Sequence, residues 1–266
     1  MRALAACLGI ALASSAHAGS ACDERAPQAA SVVKALTLAE HTLHALEDSG
    51  AEVALIARAG QDLSKYGLRY SHMGYAWRDH PQGRWLVVHE LNQCGTATSN
   101  LFDEGLGNFF LDDMHAYATH IVLPSPSVQR RLAAMLASST PLNLHEGRYN
   151  MLAYPFSTSY QNSNQWLLET WAAAAAEQPI KSRMQAQAWL RYAGYAPITV
   201  EIDAVTRLGA RLARANISFD DQPFNRRMAG HIDTVTVDSV LRFVQASDPQ
   251  ARAIDLALDE TAAPVR

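Results

Sequence analysis

Two neighbouring stretches, 70–77 and 85–91, carry alternating side chains on either side of a segment rich in turn residues. This pattern predicts two antiparallel strands joined as a hairpin. Because successive side chains of a strand point to opposite faces, His72 and Gly74 share one face of the first strand. The second strand carries His89. The hairpin therefore places a histidine on each strand, and its register decides which side chain lies beside His72.

Two registers are open at this point. If His72 faces His89, a four-residue loop, 79–82, connects the strands. A shift of one residue instead places Glu90 beside His72. Either partner could orient the imidazole, and a carboxylate would also raise its pKa. We prefer His89 and keep Glu90 as the alternative. For either histidine taken alone, the simpler interpretation is a strand residue whose ring is hydrogen-bonded to a backbone carbonyl.

Other segments follow helical or strand periodicity and indicate the fold class. A helix over 27–48 has apolar residues at helical spacing, namely Val33, Leu36, Ala39, Leu43 and Leu46. Helices and a small antiparallel set of strands together predict an α+β fold, with the sheet flanked by helices. We expect further helices over 127–136, 162–177, 182–192, 203–215 and 238–245, and strands over 52–59, 117–123 and 234–237.

The first residues have the three parts of a secretory signal peptide. Arg2 precedes an apolar run over 3–13, and Ala16 and Ala18 form a small-residue cleavage site. The run is too short for a stable membrane anchor. We therefore predict that 1–18 is a signal peptide and that 19–266 forms a single domain. This domain would be periplasmic or secreted and not an integral membrane protein.

Composition excludes some classes of partner. The formal net charge is −4, and Lys and Arg form no run, so we expect no nucleic acid. Hydrophobic residues make up 48% of the chain, which favours a packed core over disorder. The ten histidines form no zinc-type spacing, and no phosphate-binding glycine loop is present. We predict neither a metal nor a cofactor. Sequence does not indicate the oligomeric state.

Two cysteines follow the predicted signal peptide. In an oxidising compartment a disulfide between Cys22 and Cys94 is the default expectation. The alternative is a nucleophilic thiol at Cys94, which a disulfide would rule out.

The stretch 160–166 has the features of a helix start. Asn162, followed three positions later by Gln165, is typical of a capping box. Ser163 then falls in the first turn, where backbone N–H groups lack helical acceptors and the helix dipole is positive. Such a position stabilises an oxyanion. The simpler interpretation is that Asn162 and Ser163 only cap a core helix that buries Trp166.

These motifs resemble the circularly permuted papain-like superfamily, which includes lecithin–retinol acyltransferase relatives and bacterial lipid or peptide amidases. The resemblance rests on Ser71-His72-x-Gly74 in a strand, a polar residue on the next strand, and a nucleophile that opens a helix after asparagine. By position it implies a permuted papain-like fold. His72 would pair with the nucleophile, His89 would be the third polar residue, and Ser163 would occupy the cysteine position.

Segments 54–58, 69–72 and 160–166 also resemble an uncharacterised bacterial family of exported proteins, a domain-of-unknown-function family. That resemblance implies no activity.

Two functions therefore remain open. The first is an exported amide or ester hydrolase, or an acyltransferase, acting on a cell-envelope peptide or lipid. Ser163 would attack, His72 would take its proton and His89 would orient His72. Serine in place of cysteine departs from the superfamily pattern, because a hydroxyl needs a base where a thiol is already partly ionised. The alternative is a non-catalytic envelope binding or assembly protein on the same scaffold.

Overall fold

The predicted hairpin is the centre of a larger sheet. The computed structural model describes residues 28–112 and 114–258. Its strands are β1 (Val53–Ala59), β2 (His72–His80), β3 (Gly83–Asn92), β4 (Ser99–Gly105), β5 (Ala116–Leu123), β6 (Ile198–Glu201), β7 (His231–Thr234) and β8 (Arg252–Ala257). Its helices are α1 (Ala29–Ser49), α2 (Leu106–Leu111), α3 (Pro126–Leu136), α4 (Thr140–Asn143), α5 (Ser163–Ala175), α6 (Arg183–Tyr192), α7 (Ala204–Ala213), α8 (Phe224–Met228) and α9 (Val237–Ser247).

Six of these strands form one sheet in the order β4-β3-β2-β1-β5-β8, and β6 pairs with β7 in a second sheet. All neighbouring strands in both sheets run antiparallel. The α+β class with an antiparallel sheet flanked by helices is therefore confirmed, although the main sheet is larger than the sequence indicated.

Helices cover the sheet on both sides. On one side Ile56 belongs to a core cluster with Phe109, together with residues of α1 and α2. On the other side Leu55 and Tyr75 share a cluster with Trp166, together with residues of α3, α5 and α9. Every residue of β1 is buried. A strand covered on both faces needs a continuous apolar run rather than alternation, which explains the apolar residues over 53–57 of β1.

Three details differ from the sequence-based expectations. Ala39 and Leu46 of the expected stripe of α1 are buried, together with Leu38. Val33, Leu36 and Leu43 of that stripe are exposed. The strand expected at 234–237 is wrong: β7 ends at its first residue and α9 begins at its last. Strands β4, β6 and β8 were not anticipated.

No helix in the described part of the chain is long and apolar enough to cross a membrane. The predicted signal peptide, 1–18, lies outside the described residues. Its cleavage and the single domain over 19–266 stay predictions.

Candidate active site

The first residue of β2 and the first residue of α5 are in contact. His72 Nδ1 lies 3.1 Å from Ser163 Oγ, although 91 positions separate the two residues in the chain. Both are buried, with His72 8% and Ser163 6% exposed. This is a hydrogen-bond distance, so the hydroxyl can donate its proton directly to the imidazole.

His89 of β3 contacts the other side of the His72 ring. His72 Nε2 lies 2.8 Å from His89 Nδ1, and His89 is fully buried. A hydrogen bond at one ring nitrogen sets the tautomer, and with it the role of the other nitrogen. The structure thus brings the three predicted site residues, Ser163, His72 and His89, into one hydrogen-bonded series.

The hairpin reaches this arrangement in a register that the sequence did not indicate. β2 and β3 pair His80 with Gly83, so the turn holds two residues rather than the four of 79–82. The direct pairing of His72 with His89 is therefore wrong, and the two side chains meet diagonally across the hairpin. Because the offset is two positions, both histidines still share one face.

Gly74 allows this diagonal contact. A Cβ atom at Gly74 would lie 2.5 Å from Val87 Cγ1 and 3.1 Å from His89 Cβ. Without a side chain at this position, His89 can pack close to β2 and reach His72. The space above Gly74 is therefore occupied by Val87 and His89.

Glu90, the alternative partner of His72, follows His89 on β3 and so points to the opposite face. It is fully buried. Within the described residues neither of its carboxylate oxygens has a well-aligned hydrogen-bond donor, although Ser99 lies close enough to lower its pKa. Burial is the larger effect and raises the pKa of Glu90 to about 8. The structure therefore places His89, and not Glu90, against His72.

A carboxylate that sequence reasoning missed extends the series. Glu104 Oε2 on β4 lies 3.3 Å from His89 Nε2, although the ring N–H does not point squarely at that oxygen. The contact with His89 is the main cause that lowers the pKa of Glu104. Segment 103–105 is polar and ends in glycine, so its sequence carries no strand signal. Phe109 and Phe110, which follow β4 in α2, are fully buried.

The surroundings of the histidines keep them neutral. Burial, followed by the charges of Arg58 and His89, holds the pKa of His72 well below its usual 6.5. Burial also lowers the pKa of His89, and this outweighs the opposing effect of Glu104. Phe109 forms part of the apolar wall, with its ring centroid 5.9 Å from that of His72 and 5.4 Å from that of His89. A neutral His72 can accept a proton at neutral pH.

Asn162 begins α5 as the sequence predicted. Its Oδ1 accepts a hydrogen bond of 2.8 Å from the Gln165 backbone N–H. In a complete capping box the Gln165 side chain would accept a hydrogen bond from the Asn162 backbone N–H. Here the Gln165 side chain donates to the Pro155 carbonyl instead. Asn162 Nδ2 donates to Thr234 Oγ1 at 3.1 Å. These bonds fix the position of the first turn, where Ser163 lies, and leave N–H groups of that turn without helical acceptors.

Tyr149 is a second residue that the sequence did not single out. Burial raises its pKa strongly, whereas contacts with the hydroxyl and the backbone of Ser163 lower it. The phenol therefore lies beside both the hydroxyl and the first amide of α5. Tyr149 lies in a segment without regular periodicity, between α4 and α5, so no sequence pattern marked it.

Access to Ser163 is narrow. Asn164 Nδ2 donates to the Ser71 carbonyl at 3.3 Å, which joins the start of α5 to the segment before β2. An open groove of about 550 Å³ is lined by residues of β5, β8 and α9, and none of the site residues belongs to it. Only 6% of Ser163 is exposed, so a small part of its surface is open to a ligand.

Comparison with known proteins gives a family without an assigned activity. Residues 45–244 match the model of the family described as "Uncharacterized protein conserved in bacteria (DUF2145)". The chain belongs to this family. No curated protein and no solved structure matches the chain. The family segment includes Ser163, His72, His89 and Glu104, together with the strands and the helix that position them.

Among the described residues, no group of three or more His, Cys, Asp or Glu side chains could hold a metal ion. Cys94 lies in an exposed turn between β3 and β4. Its expected partner, Cys22, lies outside the described residues, so the disulfide stays a prediction.

Proposed function

We propose that this protein is an exported amide or ester hydrolase, or an acyltransferase, of the permuted papain-like type, with Ser163 as its nucleophile. The observation that carries the proposal is the 3.1 Å contact between Ser163 Oγ and His72 Nδ1, continued by the 2.8 Å contact with His89. A nucleophile at the start of a helix and two histidines on adjacent antiparallel strands also support the papain-like assignment.

The chemistry follows from the geometry. As Ser163 Oγ attacks an acyl carbon, its proton passes to His72 Nδ1. The carbonyl oxygen becomes an oxyanion that the first-turn amides of α5 and the Tyr149 hydroxyl can stabilise. Because the pKa of His72 is low, the imidazolium formed in this step is a strong acid, and it returns the proton to the leaving group. Water or an acceptor alcohol or amine then releases the acyl group by the reverse route.

The proposed substrate is a peptide or lipid of the cell envelope, which follows from the predicted secretion. A periplasmic or secreted location is part of the same proposal. Release of the acyl group to water would make the protein a hydrolase, and release to a second substrate would make it an acyltransferase.

The test is active-site labelling with a fluorophosphonate, which reacts with activated serines whatever their natural substrate. We expect labelling of the wild type at Ser163, and none of Ser163→Ala or His72→Gln. Ser182→Ala is the matched control, because Ser182 also opens a helix and accepts a hydrogen bond from Gln185. It should label like the wild type. Equal labelling of Ser163→Ala and the wild type would refute the assignment.

A second candidate function rests on the burial of the site. His72 and Ser163 are 8% and 6% exposed, and serine stands where the superfamily has cysteine. Both features fit a non-catalytic binding or assembly protein of the envelope. This candidate predicts a folded wild type that does not label, and a Ser163→Cys variant that does not react with thiol-directed acylating probes either.

A further inference from the structure

We propose that Glu104 is a positioning residue that sets the tautomers of both His89 and His72, and so keeps His72 Nδ1 free to accept the proton of Ser163. The structural part of this inference concerns only protons on ring nitrogens. Its catalytic consequence rests on the proposed function.

The three side chains follow a diagonal line across three adjacent strands. β3 and β4 pair Val87 with Glu104 and His89 with Phe102, so Glu104 lies on the same face as His89, two positions further along β4. His72 has the corresponding diagonal relation to His89 on the other side. The sheet therefore places one imidazole against the next and a carboxylate at the end.

The carboxylate determines where each proton resides. The pKa of Glu104 is lowered below its ordinary value, so at neutral pH Glu104 is ionised and can only accept. The facing nitrogen, His89 Nε2, must then carry the hydrogen. A neutral imidazole has one N–H, so His89 Nδ1 is an acceptor.

The same reasoning extends to the second ring. His72 Nε2 lies 2.8 Å from the accepting His89 Nδ1, and so it carries the hydrogen of His72. His72 Nδ1 is then unprotonated and faces the Ser163 hydroxyl. The opposite arrangement would put a hydrogen on His72 Nδ1, where it would donate to Ser163 and prevent proton transfer.

Neighbouring charges do not provide this control. Arg58 is buried near both histidines, but its guanidinium donates to the Phe109 carbonyl and to Asp112. Among the described residues, Glu104 is the carboxylate within ion-pair distance of His89. A second carboxylate on β4, that of Asp103, lies 3.5 Å from His80 instead. It provides a matched control on the same strand.

The first measurement is the ring-nitrogen NMR spectrum of the full protein, with long-range proton–nitrogen correlations assigned through His72→Gln and His89→Gln. We expect Nε2–H tautomers at both rings in the wild type. In Glu104→Gln the amide can donate to His89 Nε2, so we expect the Nδ1–H tautomer to become a major form at both rings. Asp103→Asn should leave both rings unchanged. An unchanged His72 tautomer in Glu104→Gln would overturn the inference.

The second measurement is the rate of fluorophosphonate labelling. We expect Glu104→Gln to slow it on the order of 10-fold to 100-fold, by analogy with the carboxylates that orient metal-binding histidines. Because Glu104 is 27% exposed, added formate should reach the gap in Glu104→Ala and restore the rate, and it should fail to do so in His89→Gln. An unchanged rate in Glu104→Gln, or no rescue, would contradict the catalytic consequence.

The two proposals can fail separately. A folded wild type that does not label refutes the proposed function, and the NMR tautomers still decide the role of Glu104. Conversely, normal labelling of Glu104→Gln with loss of labelling in Ser163→Ala keeps the proposed function and removes the catalytic consequence of this inference.

Discussion

Replacing Glu90 by glutamine should change the pH dependence of stability. Glu90 is fully buried without a well-aligned donor among the described residues, and burial raises its pKa to about 8 from an ordinary 4.5. Between these values the unfolded chain releases the proton while the folded protein keeps it. The free energy of unfolding of the wild type therefore receives a negative contribution that grows as pH rises from 4.5 to 8.

The size of this contribution follows from the two pKa values. It is about 1 kcal/mol at pH 5 and about 3 kcal/mol at pH 7, from 1.36 kcal/mol for each pKa unit. Glu90→Gln removes the ionisable group but nearly keeps the shape. A buried amide adds a penalty of its own, which does not depend on pH in this range. The gap in the free energy of unfolding between variant and wild type should therefore shift in favour of the variant by about 2 to 3 kcal/mol between pH 5 and pH 7.

Urea unfolding followed by tryptophan fluorescence at both pH values measures this gap. Glu177→Gln serves as the control, because Glu177 is exposed, and it should keep the pH dependence of the wild type. A gap for Glu90→Gln that is the same at pH 5 and pH 7 would refute the reasoning, whatever its absolute size.

Three further substitutions test the packing around the site. Gly74→Ala forces a Cβ against Val87. This variant should lower the free energy of unfolding by about 1 to 3 kcal/mol and slow fluorophosphonate labelling. An unchanged free energy of unfolding in urea titration would contradict the close packing. Asn162→Ala removes the cap of α5 and should lower the free energy of unfolding by about 1 to 2 kcal/mol. Asn162→Ser should lose less, because serine keeps a hydrogen-bond acceptor. Equal losses in the two variants would argue against the cap. Arg183→Met leaves the buried Glu169, 2.8 Å from Arg183 in the native protein, without its counter-charge and should cost about 3 to 5 kcal/mol. Adding Glu169→Gln to that variant should recover part of the loss, and a simple sum of the two single effects would show that the residues are not coupled.

Much of the local structure could be predicted because it depends on near neighbours in sequence. Helical periodicity located α1 and α5, alternation located β2 and β3, and the Asn162 side chain identified the helix start through a bond spanning three residues. The site was less predictable. His72 and Ser163 are brought together by tertiary folding. Their assignment to one site depended on a family resemblance, because residue spacing does not link them.

The sequence by itself determined which face of β2 carries His72, because alternation is a property of a single strand. It also determined that a hydroxyl lies in the first turn of a helix. Only the tertiary structure decided the hairpin register, the diagonal contact of His72 with His89 and the arrival of Glu104 from β4. The physical reason is that strand pairing joins residues that are distant in sequence, and a polar strand such as β4 is stabilised by its neighbours in the sheet rather than by its own propensity.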